Sequence, residues 1–263
     1  MSFEGLIKIV KWHLRQSVAL YQRLFRKVPE IGSGPGRGLR FDGGLSTKHF
    51  VSGEYERPVQ EAIAVNAHPG DVFYDVGANL GFFSVLVGRL VGTSGTVYAF
   101  EPVPANASMV ERNARENGLS NIKVLRIALC REDGRGELLL AHHDGGAVLK
   151  STGTPPPDLT GSVMVETASL DTLVDRQHLK PPNIIKIDVE GAEMDVLLGM
   201  ESILRRWHPK IILELDDETA TGCENKGSSC RSFLHDLGYQ TEVLANAYPN
   251  SSWYVRHFIA RPV

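Results

Sequence analysis

The stretch VFYDVGANLGFFSVLV, residues 72–87, decides the fold. It opens with five residues rich in β-branched and aromatic side chains, breaks at a turn holding Gly77 and Gly81, and resumes as an apolar run of helical length. Strand, glycine turn and helix in that order begin a βαβ unit. The two glycines let the backbone turn sharply and approach a ligand, because no Cβ stands in the way. Outward from this stretch, strand-length apolar runs at 97–100 and 122–127 alternate with helical patterns at 82–91 and 104–117. The alternation predicts an α/β fold, a mostly parallel sheet with helices on both faces. Right-handed crossovers bring the C-terminal ends of its strands to one edge, where ligands bind.

After Leu129 the pattern breaks into short strands and Pro/Gly turns, which predicts a small β insertion at about residues 135–168, over one sheet edge. NIIKIDVEGAEMDVLLGMESILRR, residues 183–206, restores strand and helix; KIILELDD, 210–217, adds a strand, 228–237 a helix, and 239–245 with 253–261 a closing pair of strands. Within residues 1–31, apolar side chains from Phe3 to Val28 recur at helical spacing opposite Lys8, Lys11, Arg15, Arg23, Arg26 and Lys27. This amphipathic basic helix either packs on the domain or lids its site, or else makes a peripheral membrane or partner contact through residues 3–28. GSGPGRG then marks a linker over 32–50, ahead of the main domain at 51–263.

At 263 residues, 42% hydrophobic and 22% charged, with a formal net charge of −3, the chain has an ordinary globular composition. It offers no bulk attraction to nucleic acid or anionic lipid. Three cysteines without CxxC pairing imply neither a disulfide framework nor a structural zinc, and fit a reducing cytoplasm. No run approaches the roughly 20 apolar residues of a membrane span.

The turn itself narrows the ligand. Asn79 and Phe82 stand where a dinucleotide-binding GxGxxG would need glycines, no GK[ST] follows, and no Lys or Arg lies in the turn. It is not prepared for a polyanion. Asp75 ends the first strand, and Glu101 ends the next at the distance expected of a ribose-binding acid. Two acids beside a permissive backbone suit a ligand with a ribose diol and positive charge but no phosphate, which describes S-adenosylmethionine.

The stretches GDVFYDVGANLGFFS, VYAFEPVPANASMVERNARENGLSNIKV and IIKIDVEGAEMDVLLG together resemble the FkbM-type methyltransferases, a branch of the class I S-adenosylmethionine-dependent enzymes. The resemblance runs from about residue 53 to about 215. It implies a Rossmann-like sheet of seven strands, one of them antiparallel, and chiefly O-methylation of a small molecule, sugar or secondary metabolite, the acceptor being a small hydroxylated compound. By position, Asp75, Gly77, Ala78, Asn79 and Gly81 would form the loop at the methionine end, Glu101 would hold the ribose hydroxyls, and Ala128 would lie near the adenine. Glu56, in SGEYE, would face the cofactor's ammonium or cap a helix. The resemblance fades before Val51, in the insertion and after Leu215, the parts that would shape an acceptor pocket.

Methyl transfer is an in-line displacement that gains from positioning and, with a hydroxyl acceptor, from a general base. Strand periodicity puts Lys186, Asp188 and Glu190 on one face at the ligand edge. The expected catalytic residues are Asp188, beside cofactor and transferring methyl, and Glu190, supporting acceptor or loop. The alternative is an Asp188–Lys186 structural pair with Glu190 as a helix cap. Glu214, Asp216 and Asp217 are a possible but unfavoured divalent-metal set, so no metal ligand is assigned. His142, beside His143 and Asp144, is a candidate base reaching over the pocket or else part of a plain loop. Cys223 and Cys230 flank ENKGSS, a loop-like composition, and read as incidental thiols. N- or carboxylate methylation, a silent cofactor-binding scaffold and a nicotinamide oxidoreductase remain as alternatives; nucleic acid is not an expected partner, since no (N/D)PP(Y/F) follows the fourth strand.

Overall fold

The computed structural model describes residues 27–141, 146–152, 158–249 and 251–263, apart from the side chain of Leu45. The amphipathic segment at 3–26, and His142, His143 and Asp144, lie outside the described residues. In chain order the elements are α1 (Thr47–Val51), α2 (Arg57–Asn66), β1 (Val72–Val76), α3 (Phe82–Val91), β2 (Thr96–Phe100), α4 (Pro104–Glu116), β3 (Ile122–Leu125), β4 (Ala128–Leu129), β5 (Gly134–Ala141), β6 (Ala147–Leu149), β7 (Leu159–Ala168), α5 (Leu170–Gln177), β8 (Ile184–Ile187), α6 (Glu193–Leu198), α7 (Glu201–Trp207), β9 (Lys210–Asp217), α8 (Ala220–Asp236), β10 (Tyr239–Val243) and β11 (Tyr254–Pro262).

The main sheet has seven strands in the order β10-β11-β9-β8-β1-β2-β3, with β11 antiparallel to both neighbours and the others running one way. Its central strands are buried on both sides, and successive residues feed opposite cores. Tyr74, Val76, Tyr98, Ile185, Ile187, Leu213 and Phe258 join one core with α6, α7 and α8. Phe73, Val97, Ile184, Ile212 and Ile259 join the other, with α2, α3 and the N-terminal segment. Residues 32–50, read from composition as a linker, lie against this second core: Leu39, Phe41 and Phe50 are buried, and the Phe41 ring meets Phe82 edge-on at 5.4 Å.

The insertion forms its own sheet, in the order β4-β7-β5-β6, whose β5 and β7 pair as a long antiparallel ribbon. One helix differs from its expected start. α8 begins at Ala220 rather than at Ser228, with Thr219 Oγ1 accepting the Gly222 N–H as its cap. Cys223, Gly227, Cys230 and Leu234 therefore share its buried stripe, and the other residues of the loop-like ENKGSS lie toward the solvent side of the helix. Burial of that stripe overrides the weak helix preference of Gly, Ser and Asn.

Candidate active site

Strand alternation places Asp75 on β1, Lys186 on β8, Glu214 on β9 and His257 on β11 on the face of the sheet that packs against α3. Their neighbours Phe73, Ile184, Ile212 and Ile259 all enter the core on that side. Asp75 is in register with Lys186, and Glu214 with His257. The result is a row of charged side chains crossing four adjacent strands near their ligand edge. It floors a cavity of about 270 Å³, lined by Glu56, Asp75, Glu101, Asp188, Glu190 and Glu214 among others, with Lys186 the one Lys or Arg among the described residues that line it. The sequence-predicted Gly77, Ala78, Asn79 and Ala128 also line it.

At the first turn, Gly77 (φ 80°) and Gly81 (φ 86°) hold left-handed backbone. A Cβ on Gly77 would stand 1.8 Å from the Asp188 carbonyl oxygen, and one on Gly81 would stand 2.9 Å from Val110. Their missing side chains thus make room for β8's exit loop and for α4, in addition to any ligand. Asp75 Oδ2 accepts the Ser84 hydroxyl at 2.5 Å, and Oδ1 is buried with no hydrogen-bond partner. Burial raises the Asp75 pKa above the ordinary carboxylate range, although Lys186 pulls against it. Glu101 is held by two backbone donors, Asn79 N–H to Oε2 and Val103 N–H to Oε1, each 2.8 Å. Burial pushes it up to about 7 against those two bonds.

Beyond β8, Lys186 Nζ donates to Asp188 Oδ2 at 2.7 Å and lies 4.6 Å from the Phe83 ring centre. The expected structural pair is therefore present, and Asp188 still borders the cavity. Burial opposes the Lys186 charge, but Asp188, Glu56 and Asp75 more than compensate and raise its pKa. Glu190 does not take the alternative role of helix cap: α6 starts at Glu193 behind Ala192, without a side-chain cap. Glu190 instead adopts φ 53°, and burial, with Asp216 and Asp188 nearby, raises it to about 8. Glu56 likewise heads α2 at φ 41° without capping it. Of five left-handed non-glycine residues among those described, Glu56, Asn79 and Glu190 line the cavity, whereas His178 and His208 end helices. Backbone strain is thus concentrated where ligand-binding groups gather.

Sequence reasoning missed two residues. Tyr248, in the β10–β11 loop, donates its hydroxyl to Glu56 Oε1 at 2.8 Å. His257 Nε2 hydrogen-bonds Glu214 Oε2. Burial opposes the His257 charge, but Glu214 and Glu56 raise its pKa to about 10. Burial works against the charge of both carboxylate partners, but at Glu56 the attraction of His257 and Lys186 outweighs it and the pKa falls to about 2. A titratable residue beside the apolar run Phe258-Ile259-Ala260 was a readable signal for His257, the same one that marked Lys186; the loop around Tyr248 carried none. Of the unfavoured Glu214–Asp216–Asp217 set, Asp217 is engaged elsewhere: it accepts the Thr219 N–H at 2.9 Å and pairs with Lys226 at 3.3 Å.

This fold and edge match a known family. A profile for the methyltransferase FkbM domain matches residues 75–241. The chain belongs to the FkbM methyltransferase family. Methyltransferase 1 of Beauveria bassiana is 30% identical over 206 residues, covering 70% of this FkbM-family chain and 79% of that protein. The 31-O-demethyl-FK506 methyltransferase FkbM of Streptomyces tacrolimicus is 26% identical over 197 residues, covering 62% and 75%. Methyltransferase FkbM from Methylobacillus flagellatus KT shares the fold at a TM-score of 0.50 and 17% identity, over 72% of this chain and 43% of that longer one. The protein is thus an S-adenosylmethionine-dependent methyltransferase. No helix among the described residues is long and apolar enough to cross a membrane.

Proposed function

We propose that this FkbM-family protein methylates a hydroxyl oxygen of a small molecule or sugar. The observation that carries this reading is Glu190, which lines the cavity next to Asp188 on left-handed backbone at φ 53° and whose pKa burial raises to about 8. A general base works best near ambient pH, and a neutral hydroxyl must lose its proton as the new bond forms. Asp75, Gly77, Ala78, Asn79 and Gly81 would hold the methionine end of the cofactor, Glu101 the ribose and Ala128 the adenine side. Leu138 and Leu149 of the insertion pack with Ala128, which supports a cover over the adenine end. Asp188 would stand beside the transferring methyl group, with Glu190 receiving the proton. Among the described lining residues, six carboxylates against one Lys suit a cofactor of net positive charge and disfavour an anionic acceptor. The same charge favours an amine as the second acceptor class.

Labelled S-adenosylmethionine, offered with matched alcohol, amine and carboxylate acceptors on a common glycoside and polyketide scaffold, tests the reading by the site of the label. Methyl ethers are the expected products. Label found on nitrogen or carboxylate and absent from every hydroxyl would refute O-methylation.

A further inference from the structure

The charged row continues past the groups assigned to cofactor and acceptor. At its far end His257 stands directly across from Glu214. Its Nε2, bonded to Glu214 Oε2, also lies 3.6 Å from Glu56 Oε2. One ligand atom from each of these three side chains lies within 4.8 Å of the others. A cluster of this kind at a surface would simply be hydrated, but Glu56 is 2% exposed and His257 3%. Glu56 Oε2 is buried without a hydrogen bond of ordinary geometry, its contact with His257 Nε2 being the longer 3.6 Å ion pair, although a buried carboxylate oxygen ordinarily finds a close donor. Tyr248 explains its aim. The phenol occupies Oε1, and its ring stacks on the imidazole with centres 6.1 Å apart. Such outer contacts orient the ligands of metal sites.

We propose that Glu56, Glu214 and His257 bind a divalent first-row transition cation, Zn²⁺ or Mn²⁺ being best matched to one imidazole and two carboxylates. Two ligand atoms about 2.1 Å from a tetrahedral ion lie roughly 3.4 Å apart. The 3.6 Å between Glu56 Oε2 and His257 Nε2 already meets that spacing. The ion displaces the proton that His257 Nε2 shares with Glu214, which passes to solvent, and Glu214 swings aside to offer the ion a carboxylate oxygen. Three protein ligands leave a coordination position open, as in sites that act on substrate. Glu56, Glu214 and Tyr248 border the cavity, so that position faces the space proposed for the acceptor. An ion there would hold the acceptor oxygen and ease its deprotonation. That role rests on the proposed reaction; the binding of the ion does not.

The test uses the full chain, stripped with a chelator and titrated by calorimetry with MnCl₂ and with ZnCl₂. One equivalent of ion should bind. Affinity should fall by about tenfold or more in Glu214→Gln and His257→Gln, and by about 10- to 100-fold in Tyr248→Phe. His235→Ala, at an exposed histidine, should change nothing. S-adenosylhomocysteine binding by each variant reports that the fold and the cofactor end persist. Visible Co²⁺ absorption bands in the wild type would report nitrogen and oxygen coordination without any variant. No saturable binding of either ion by folded wild type, or binding unchanged in Glu214→Gln and His257→Gln, would overturn the site and leave the methyltransferase reading standing.

Discussion

Glu101→Gln tests the cofactor end most directly. Glu101 accepts Asn79 N–H at Oε2 and Val103 N–H at Oε1, both at 2.8 Å, with the Asn106 side chain as a further hydrogen-bond partner, and its carboxylate borders the cavity. A hydrogen bond to a charged group is worth about 1.5–3 kcal/mol, so two ribose hydroxyls place about 3–6 kcal/mol at stake. Glutamine keeps one acceptor and must turn its amide donor toward a backbone N–H, so about 2–3 kcal/mol is lost. At about 1.4 kcal/mol per tenfold, S-adenosylhomocysteine should bind roughly 30- to 150-fold more weakly by calorimetric titration. The pH dependence has a definite sign. Burial lifts Glu101 to about 7, and ribose hydroxyls donate to the ionised form, so affinity weakens as pH falls through that value. Wild type should bind about 100-fold more weakly at about pH 5 than at about pH 8, and Glu101→Gln should lose most of that slope. Asp75, also raised by burial, adds dependence of the same sign. A variant within about twofold of wild type, or a flat wild-type profile, would refute the ribose role.

Other perturbations follow from the same geometry. Gly77→Ala forces a side chain into left-handed backbone and against the Asp188 carbonyl, at a cost of about 3 kcal/mol or more, so Tm should drop by roughly 6–12 °C. A Tm within about 2 °C of wild type would show that the β8 exit loop yields freely. Asp188→Asn leaves Lys186, 2% exposed, without its nearest counter-charge. Denaturant unfolding should register about 2–4 kcal/mol, short of the full cost of an orphaned ion because Glu56 and Asp75 remain; no change would mean that the pair anchors nothing. Leu149→Ser removes apolar cover beside Ala128 and should weaken S-adenosylhomocysteine binding by about tenfold, whereas undiminished affinity would detach the insertion from the cofactor. A thiol reagent should modify Cys130 first under native conditions. Burial pushes Cys230 up to about 12 and raises Cys223 as well, and equal labelling rates by mass spectrometry would contradict the position of α8.

The order of strands and helices from β1 to β3 was legible because each element carries its own period and the glycine turn marks the first crossover. Asp75, Glu101 and Asp188 were legible for a related reason. A charged residue at the end of an otherwise buried strand has to face the ligand edge of a parallel sheet. α8 misled because its helix signal lies in a buried stripe spaced along Cys223, Gly227, Cys230 and Leu234, while its exposed residues favour loops. The capping readings of Glu56 and Glu190 failed for a local reason: both take left-handed φ values, which aim their side chains at the cavity instead of at their own helix.

By itself the sequence determined the parallel core, the glycine turn and the acids that end its strands, since these follow from periodicity and from the cost of burying charge. Only the tertiary structure decided which distant groups share the far end of the cavity. Glu56 meets Tyr248 across 192 residues of chain, and His257 meets Glu214 through the register of the antiparallel strand β11. That register is set by Phe258 and Ala260 entering one core and Ile259 the other. Slipped by one residue, β11 would send His257 to the opposite face, and no local sequence pattern reveals which partner waits there.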